Sequence, residues 1–173
     1  MLRYIFALLI FVSVPSFASD GGAPSYVKKY FNDAAPVGAG RLNYMFFSVY
    51  DATLYAPKGR FDGGNKFALS LKYLRSIEGR AIADASADQM RKQGFKDEIK
   101  LAQWHDQMVK IFPNVDDKTI LTGLNVPGHG AKFYKNGKFV GEIKDPKFSK
   151  HFFDIWLGQN TTAPDLRRSL LGA

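Results

Sequence analysis

"KFALSLKYLRS", Lys66 to Ser76, carries the alternation on which the fold reading turns. Phe67, Leu69, Leu71 and Tyr73 alternate with Lys66, Ser70 and Lys72, as in a β-strand with one apolar face and one wet face. Strands patterned on one side only suit an antiparallel sheet with a single covered face. Continued one step, the alternation aims Arg75 inward. A guanidinium keeps its charge, so a buried one needs an anion, either an internal carboxylate or a ligand.

Outward from this strand the same chemistry recurs. Gly38 to Tyr55 is rich in Tyr, Phe and Val and reads as strand. Tyr50, Ala52 and Leu54 share one of its faces, Asp51 and Thr53 the other. Asp62-Gly63-Gly64 turns the chain into the Phe67 strand. Thr119–Leu124 is strand-like again, and Asn136-Gly137 between alternating runs predicts a tight hairpin with Phe133 opposite Val140 and Tyr134 opposite Phe139.

Helices fill the rest. Ser86-Ala87-Asp88-Gln89 has the form of a capping box, with Gly94 as the stop. Asp97 caps a second helix, in which Leu101, Trp104, Met108, Ile111 and Phe112 form an apolar stripe. Asp145-Pro146 opens a third, with Phe148, Phe152, Ile155 and Trp156 facing inward, and Thr162 starts a short fourth ending at Gly172. The expectation is a single α+β domain over residues 38–173, its antiparallel sheet covered on one face by helices.

The first 18 residues read differently. Arg3 precedes the apolar run Tyr4–Val12, and Ser16-Phe17-Ala18 has the small-x-small form of a cleavage site. The expectation is a signal peptide over 1–18, a periplasmic or secreted protein starting near Ser19, and a flexible lead-in over 19–37. Apart from this leader no run approaches the roughly 18 apolar residues of a membrane span. The chain has no cysteine, which excludes disulfides, thiolate metal sites and cysteine nucleophiles. Net charge is +8, and the lysines are scattered, as on a solvated surface suited to acidic ligands or anionic surfaces. No nucleic-acid-binding module is recognisable, and no nucleic-acid partner is expected.

Motifs for catalysis are few. His105, His129 and His151 stand apart without ligand spacing, so no metal is expected and no cofactor is implied. There is no nucleophile elbow and no phosphate loop. What remains is arginine beside tyrosine against an apolar wall: Arg41, Tyr50, Tyr73 and Arg75. The guanidinium offers a fork for a carboxylate, and a phenol adds a donor. The bland alternative pairs Arg75 with Asp51 or Glu78; on this reading Arg75 is mainly structural and Arg41 faces a ligand.

Taken in order, "VYDATLYAP", "FALSLKYLRSI", "LAQWHDQMVKIFP", "KFYKNGKFVGEI", "DPKFSKHFFDIWL" and "APDLRRSLLG" resemble the chalcone isomerase-like family, in particular its small exported bacterial branch. The resemblance implies an open-faced β-sandwich of one large antiparallel sheet under a layer of helices. It matches Gly40-Arg41 to the plant enzymes' catalytic arginine, and puts Tyr50 where they carry a threonine. The enzymes also use a tyrosine and an asparagine after the second strand. Here no tyrosine lies between Tyr73 and Tyr134 and no asparagine between Asn65 and Asn114. The resemblance therefore implies the cleft without the reaction, as in the family's fatty-acid binders. Three functions follow: a binder of a small fatty or aromatic acid; an isomerase or lyase on a related enone; or an interaction protein with a protein partner and a vestigial cleft.

Overall fold

Six strands cross one antiparallel sheet in chain order: β1 (Ala34–Tyr44), β2 (Phe47–Pro57), β3 (Phe67–Tyr73), β4 (Ile120–Val126), β5 (Gly130–Lys135) and β6 (Lys138–Ile143). Among the described residues five helices accompany them: α1 (Ser25–Lys28), α2 (Gly79–Lys92), α3 (Glu98–Ile111), α4 (Pro146–Leu157) and α5 (Pro164–Leu171). The computed structural model describes residues 22–173; the expected leader and its cleavage point lie outside the described residues.

The alternation in β3 turns its apolar side chains toward the helices, but the face expected to be wet is largely covered: Ala68 and Ser70 are buried and only Lys72 is exposed. Leu69, Leu71 and Tyr73 join Tyr50, Ala52 and Leu54 of β2, Leu121 and Phe133 in one core with α2, α3 and α4. Leu101, Trp104 and Met108 of α3 and Phe148, Phe152 and Phe153 of α4 supply its helical side, all buried. The Trp104, Met108, Phe112 stripe is thus core packing. Gly123 lets α4 approach the sheet, since a Cβ there would meet the Phe153 ring at 3.0 Å.

Local signals match their elements where the partners are near in sequence. Asp97 accepts from the Lys100 amide, and Asp145 from the Lys147 and Phe148 amides, as capping residues do. Asn136 and Gly137 take positive φ in the β5–β6 turn. Tyr134 faces Phe139 as expected, but a bulge sets Phe133 opposite Gly141 instead of Val140.

Other boundaries move. Helix α2 starts seven residues before Ser86, at Gly79. Its first amide is capped by the Asn114 side chain at 2.9 Å, a partner 35 positions away. Ser86 lies inside the helix and donates to the Ile82 carbonyl. Thr162 does not cap α5; its hydroxyl donates to Gln89. The stretch expected as continuous strand is two strands joined at Met45-Phe46, residues without turn chemistry, with Met45 at φ 53°.

The segment expected as a loose lead-in packs on the other face of the sheet. Val27, Phe31 and Ala34 form a second cluster with Tyr55, Ala68, Leu124 and Tyr134. Tyr26 is hydrogen-bonded to Thr122, and Tyr30 to Tyr134.

Candidate functional site

Where β1, β2 and β3 meet the helical layer, the core is incomplete. A cavity of about 560 Å³ opens there, between the inner face of the sheet, α2, α4 and the loop before α5. The value falls within the roughly 300–1,000 Å³ of small-molecule sites. Its walls are apolar, from Leu71, Ile82, Ala85, Phe112, Phe152 and Ile155.

The inward alternation of two paired strands delivers its polar groups. Tyr50 and Tyr73 are register partners across β2 and β3, with rings edge to face at 5.7 Å, and both line the cavity. The Trp156 indole donates to the Tyr50 hydroxyl at 2.8 Å, which leaves the phenol's own proton to give. The Tyr73 hydroxyl has no hydrogen-bond partner among the described residues and opens on the cavity; it is not sealed from solvent, though the residue as a whole is 2% exposed. Burial pushes the Tyr50 phenol up to about 12, the Trp156 hydrogen bond opposing it. Burial, with Tyr50 alongside, raises Tyr73 as well. Both are neutral donors near neutral pH. Two other polar groups of the wall are spent internally, Ser86 on the Ile82 carbonyl and Gln89 on Thr162.

The two arginines are placed otherwise than the alternation aims them. Strand β3 ends at Tyr73, so the register does not carry Arg75 into the core. It stands exposed at the cavity, over the Phe47 ring at 4.8 Å, with no carboxylate within ion-pair distance among the described residues. Neither Asp51 nor Glu78 pairs with it. Asp51 is held by Arg41, its register partner in β1, through Nε at 2.6 Å and Nη2 at 3.0 Å. This pair belongs to the face of the sheet away from the cavity, and Arg41 is not part of the cavity wall. The glycines before Arg41 serve packing: a Cβ on Gly38 would lie 2.2 Å from the Ser169 carbonyl of α5.

Tyr50, Tyr73 and Arg75, singled out along the chain, line the cavity, and so does Trp156, which the pattern gave only as core. Its place on the inward stripe of α4 was the available signal, since a buried indole N–H seeks an acceptor. The histidines stay apart: His105 meets Asp84 at 2.6 Å, His129 meets Glu142 at 2.9 Å, and His151 lies beside Phe95 and Trp104. Among the described residues no group of three or more His, Cys, Asp or Glu is placed to hold a metal ion. No described helix is long and apolar enough to cross a membrane.

Comparison with known proteins adds a family and a fold. The family model described as chalcone isomerase-like matches residues 37–172. Among solved structures, the chain is similar to the crystal structure of the Arabidopsis thaliana fatty-acid binding protein AtFAP1, with a TM-score of 0.61 at 16% identity. The match covers 81% of this chain and 87% of that one, and the likeness is one of fold. No curated protein matches by sequence.

Proposed function

We propose a ligand-binding role on this premise: the chain belongs to the chalcone isomerase-like family. The protein binds a small apolar or aromatic acid, of fatty-acid type, in the cleft between sheet and helices, and does not catalyse a reaction on it. The observation that carries this reading is an apolar cavity whose wall brings together the Tyr73 hydroxyl, without a partner among the described residues, and the Arg75 guanidinium. A ligand oxygen accepting from this hydroxyl would be worth about 0.5–1.5 kcal/mol net. The ligand's carboxylate pairs with Arg75 and takes a hydrogen bond from a phenol, while its body lies along Leu71, Ile82 and Phe152. The fold likeness to a protein described as fatty-acid binding supports the class of ligand. The leader over 1–18 supports export to the periplasm or beyond the cell, and N-terminal sequencing of the soluble protein should find Ser19 or a neighbour first.

Native mass spectrometry of protein purified from its own host tests the central claim. A co-purifying small acid is the expected outcome, lost on exchange of Arg75 and Tyr73 for Met and Phe. Protein that carries no adduct and also fails to bind long-chain fatty acids in titration would remove the reading.

A further inference from the structure

The β1–β2 hairpin ends in Tyr44-Met45-Phe46-Phe47, and all four residues are exposed, the two at the turn most fully; Met45 is 74% exposed and Phe46 94%. The last residues that pair with β3 are Tyr50 of β2 and Tyr73 of β3, so 43–48 pair only with each other and project past the sheet. Four large apolar side chains on one convex turn are held in water at a cost, and their exposure marks an interaction site.

The tip adjoins the cavity. Tyr44 and Leu42 belong to the cavity wall, and Phe47 lies under the Arg75 guanidinium that stands at the opening. The two segments around it, 41–50 and 72–77, contain no acidic residue, and beside Arg41, whose charge Asp51 balances, they carry the cations Lys72 and Arg75. Glu78 and Arg80 follow, one of each sign, and the nearest carboxylate of β2, Asp51, is engaged by Arg41. The whole chain carries +8. An apolar prominence flanked by cations matches one surface in both respects: a bilayer with anionic headgroups. A second copy matches less well. A stable dimer buries roughly 800 Å² on each partner, and a convex turn of four residues touches its own copy over less than that.

We infer that residues 44–47 dock the protein on an anionic membrane surface, side chains at the depth of the headgroup boundary, with the cavity mouth turned toward the lipid. The docking stands on the tip and its charge alone. Its purpose, passing an acyl acid between bilayer and cavity, rests on the binding role proposed above.

The test uses protein beginning at Ser19, because the apolar run before it would bind lipid by itself, and vesicles free of fatty acid. Wild-type protein should sediment with phosphatidylcholine vesicles containing phosphatidylglycerol, less with phosphatidylcholine alone, and less in high salt. Met45→Ser combined with Phe46→Ser should weaken partitioning about tenfold or more. Phe46→Trp gives a second reading: both native tryptophans are buried, so a blue shift of the added emission on anionic vesicles reports the tip entering lipid. Wild-type protein that stays in the supernatant, an unshifted tip tryptophan, or a dimer dissolved by the double serine variant each overturns the inference. Because the docking assay contains no acid ligand, its outcome is separate from that of the binding titration.

Discussion

Trp156 donates its indole N–H to the Tyr50 hydroxyl across 106 positions of sequence, and this bond fixes the inner wall of the cavity. It ties the inward stripe of α4 to the inward face of β2 and sets which way the Tyr50 phenol turns. With its lone pair occupied, Tyr50 meets the cavity as a donor.

Removing the donor isolates the bond. Trp156→Phe should lower stability by about 1–3 kcal/mol, because Tyr50 keeps a buried oxygen with no partner and the smaller ring packs less well. A thermal or urea melt measures the loss. In a double-mutant cycle with Tyr50→Phe, the second change should cost much less on the Trp156→Phe background than alone. Additive losses would show that the contact contributes nothing of its own.

Tyr73 behaves differently because nothing in the described protein satisfies its hydroxyl. Tyr73→Phe should leave the melting temperature unchanged or raise it, while fatty-acid affinity falls by about 0.5–1.5 kcal/mol, one hydrogen bond's net worth. Calorimetric titration beside a melt separates the two. A variant that loses stability and binds normally would make Tyr73 a structural residue only.

The arginines give opposite expectations. Arg75→Met should weaken binding of a long-chain fatty acid about tenfold or more by removing a charge-assisted contact, without unfolding the protein. Arg41→Met should leave binding unchanged, since its guanidinium is committed to Asp51 away from the cavity. Binding isotherms on both variants check this, and equal losses in the two would contradict the geometry.

High pH should open the site. Tyr50 has an ordinary value of 10.0 and is pushed up by burial to about 12, so the folded state holds its proton more tightly than the unfolded chain. That contribution is complete below pH 10 and is lost as pH rises from 10 through 12. Tyr73, raised by burial and by Tyr50, adds in the same direction. Stability from urea titrations should fall across that window, and less steeply for Tyr50→Phe. A stability flat from pH 9 to about 12 would contradict the burial of these phenols.

Chalcone turnover should be absent. Cyclising a chalcone needs donors on the developing enolate, and the tyrosine and asparagine that the family resemblance implies for the plant enzymes have no counterpart between Tyr73 and Asn114. Loss of chalcone absorbance above the spontaneous rate, dependent on this protein, would instead favour the isomerase or lyase reading.

Much of the fold was legible along the chain because its cause is local. The alternation of Phe67 to Tyr73 decides which side chains turn inward, whatever covers them. Asp97, Asp145-Pro146 and Asn136-Gly137 act on amides or dihedrals within a few residues, and each marks its boundary correctly. Signals fail where the partner is distant. The start of α2 is capped by Asn114, and Ser86, which imitates a cap, is satisfied within the helix. The turn at Met45-Phe46 has no turn residues, so nothing nearby announces that one strand is two. The site follows the same division. Inward periodicity was enough to place Tyr50 and Tyr73 on the inner face of the sheet, but it ran one step too far at Arg75, where β3 has already ended. Arg41 is turned outward by its place opposite Asp51 in a hairpin that only the folded sheet defines. Periodicity is a property of one strand, whereas the partner of a charge depends on which strands lie side by side, and that is decided by the assembled sheet.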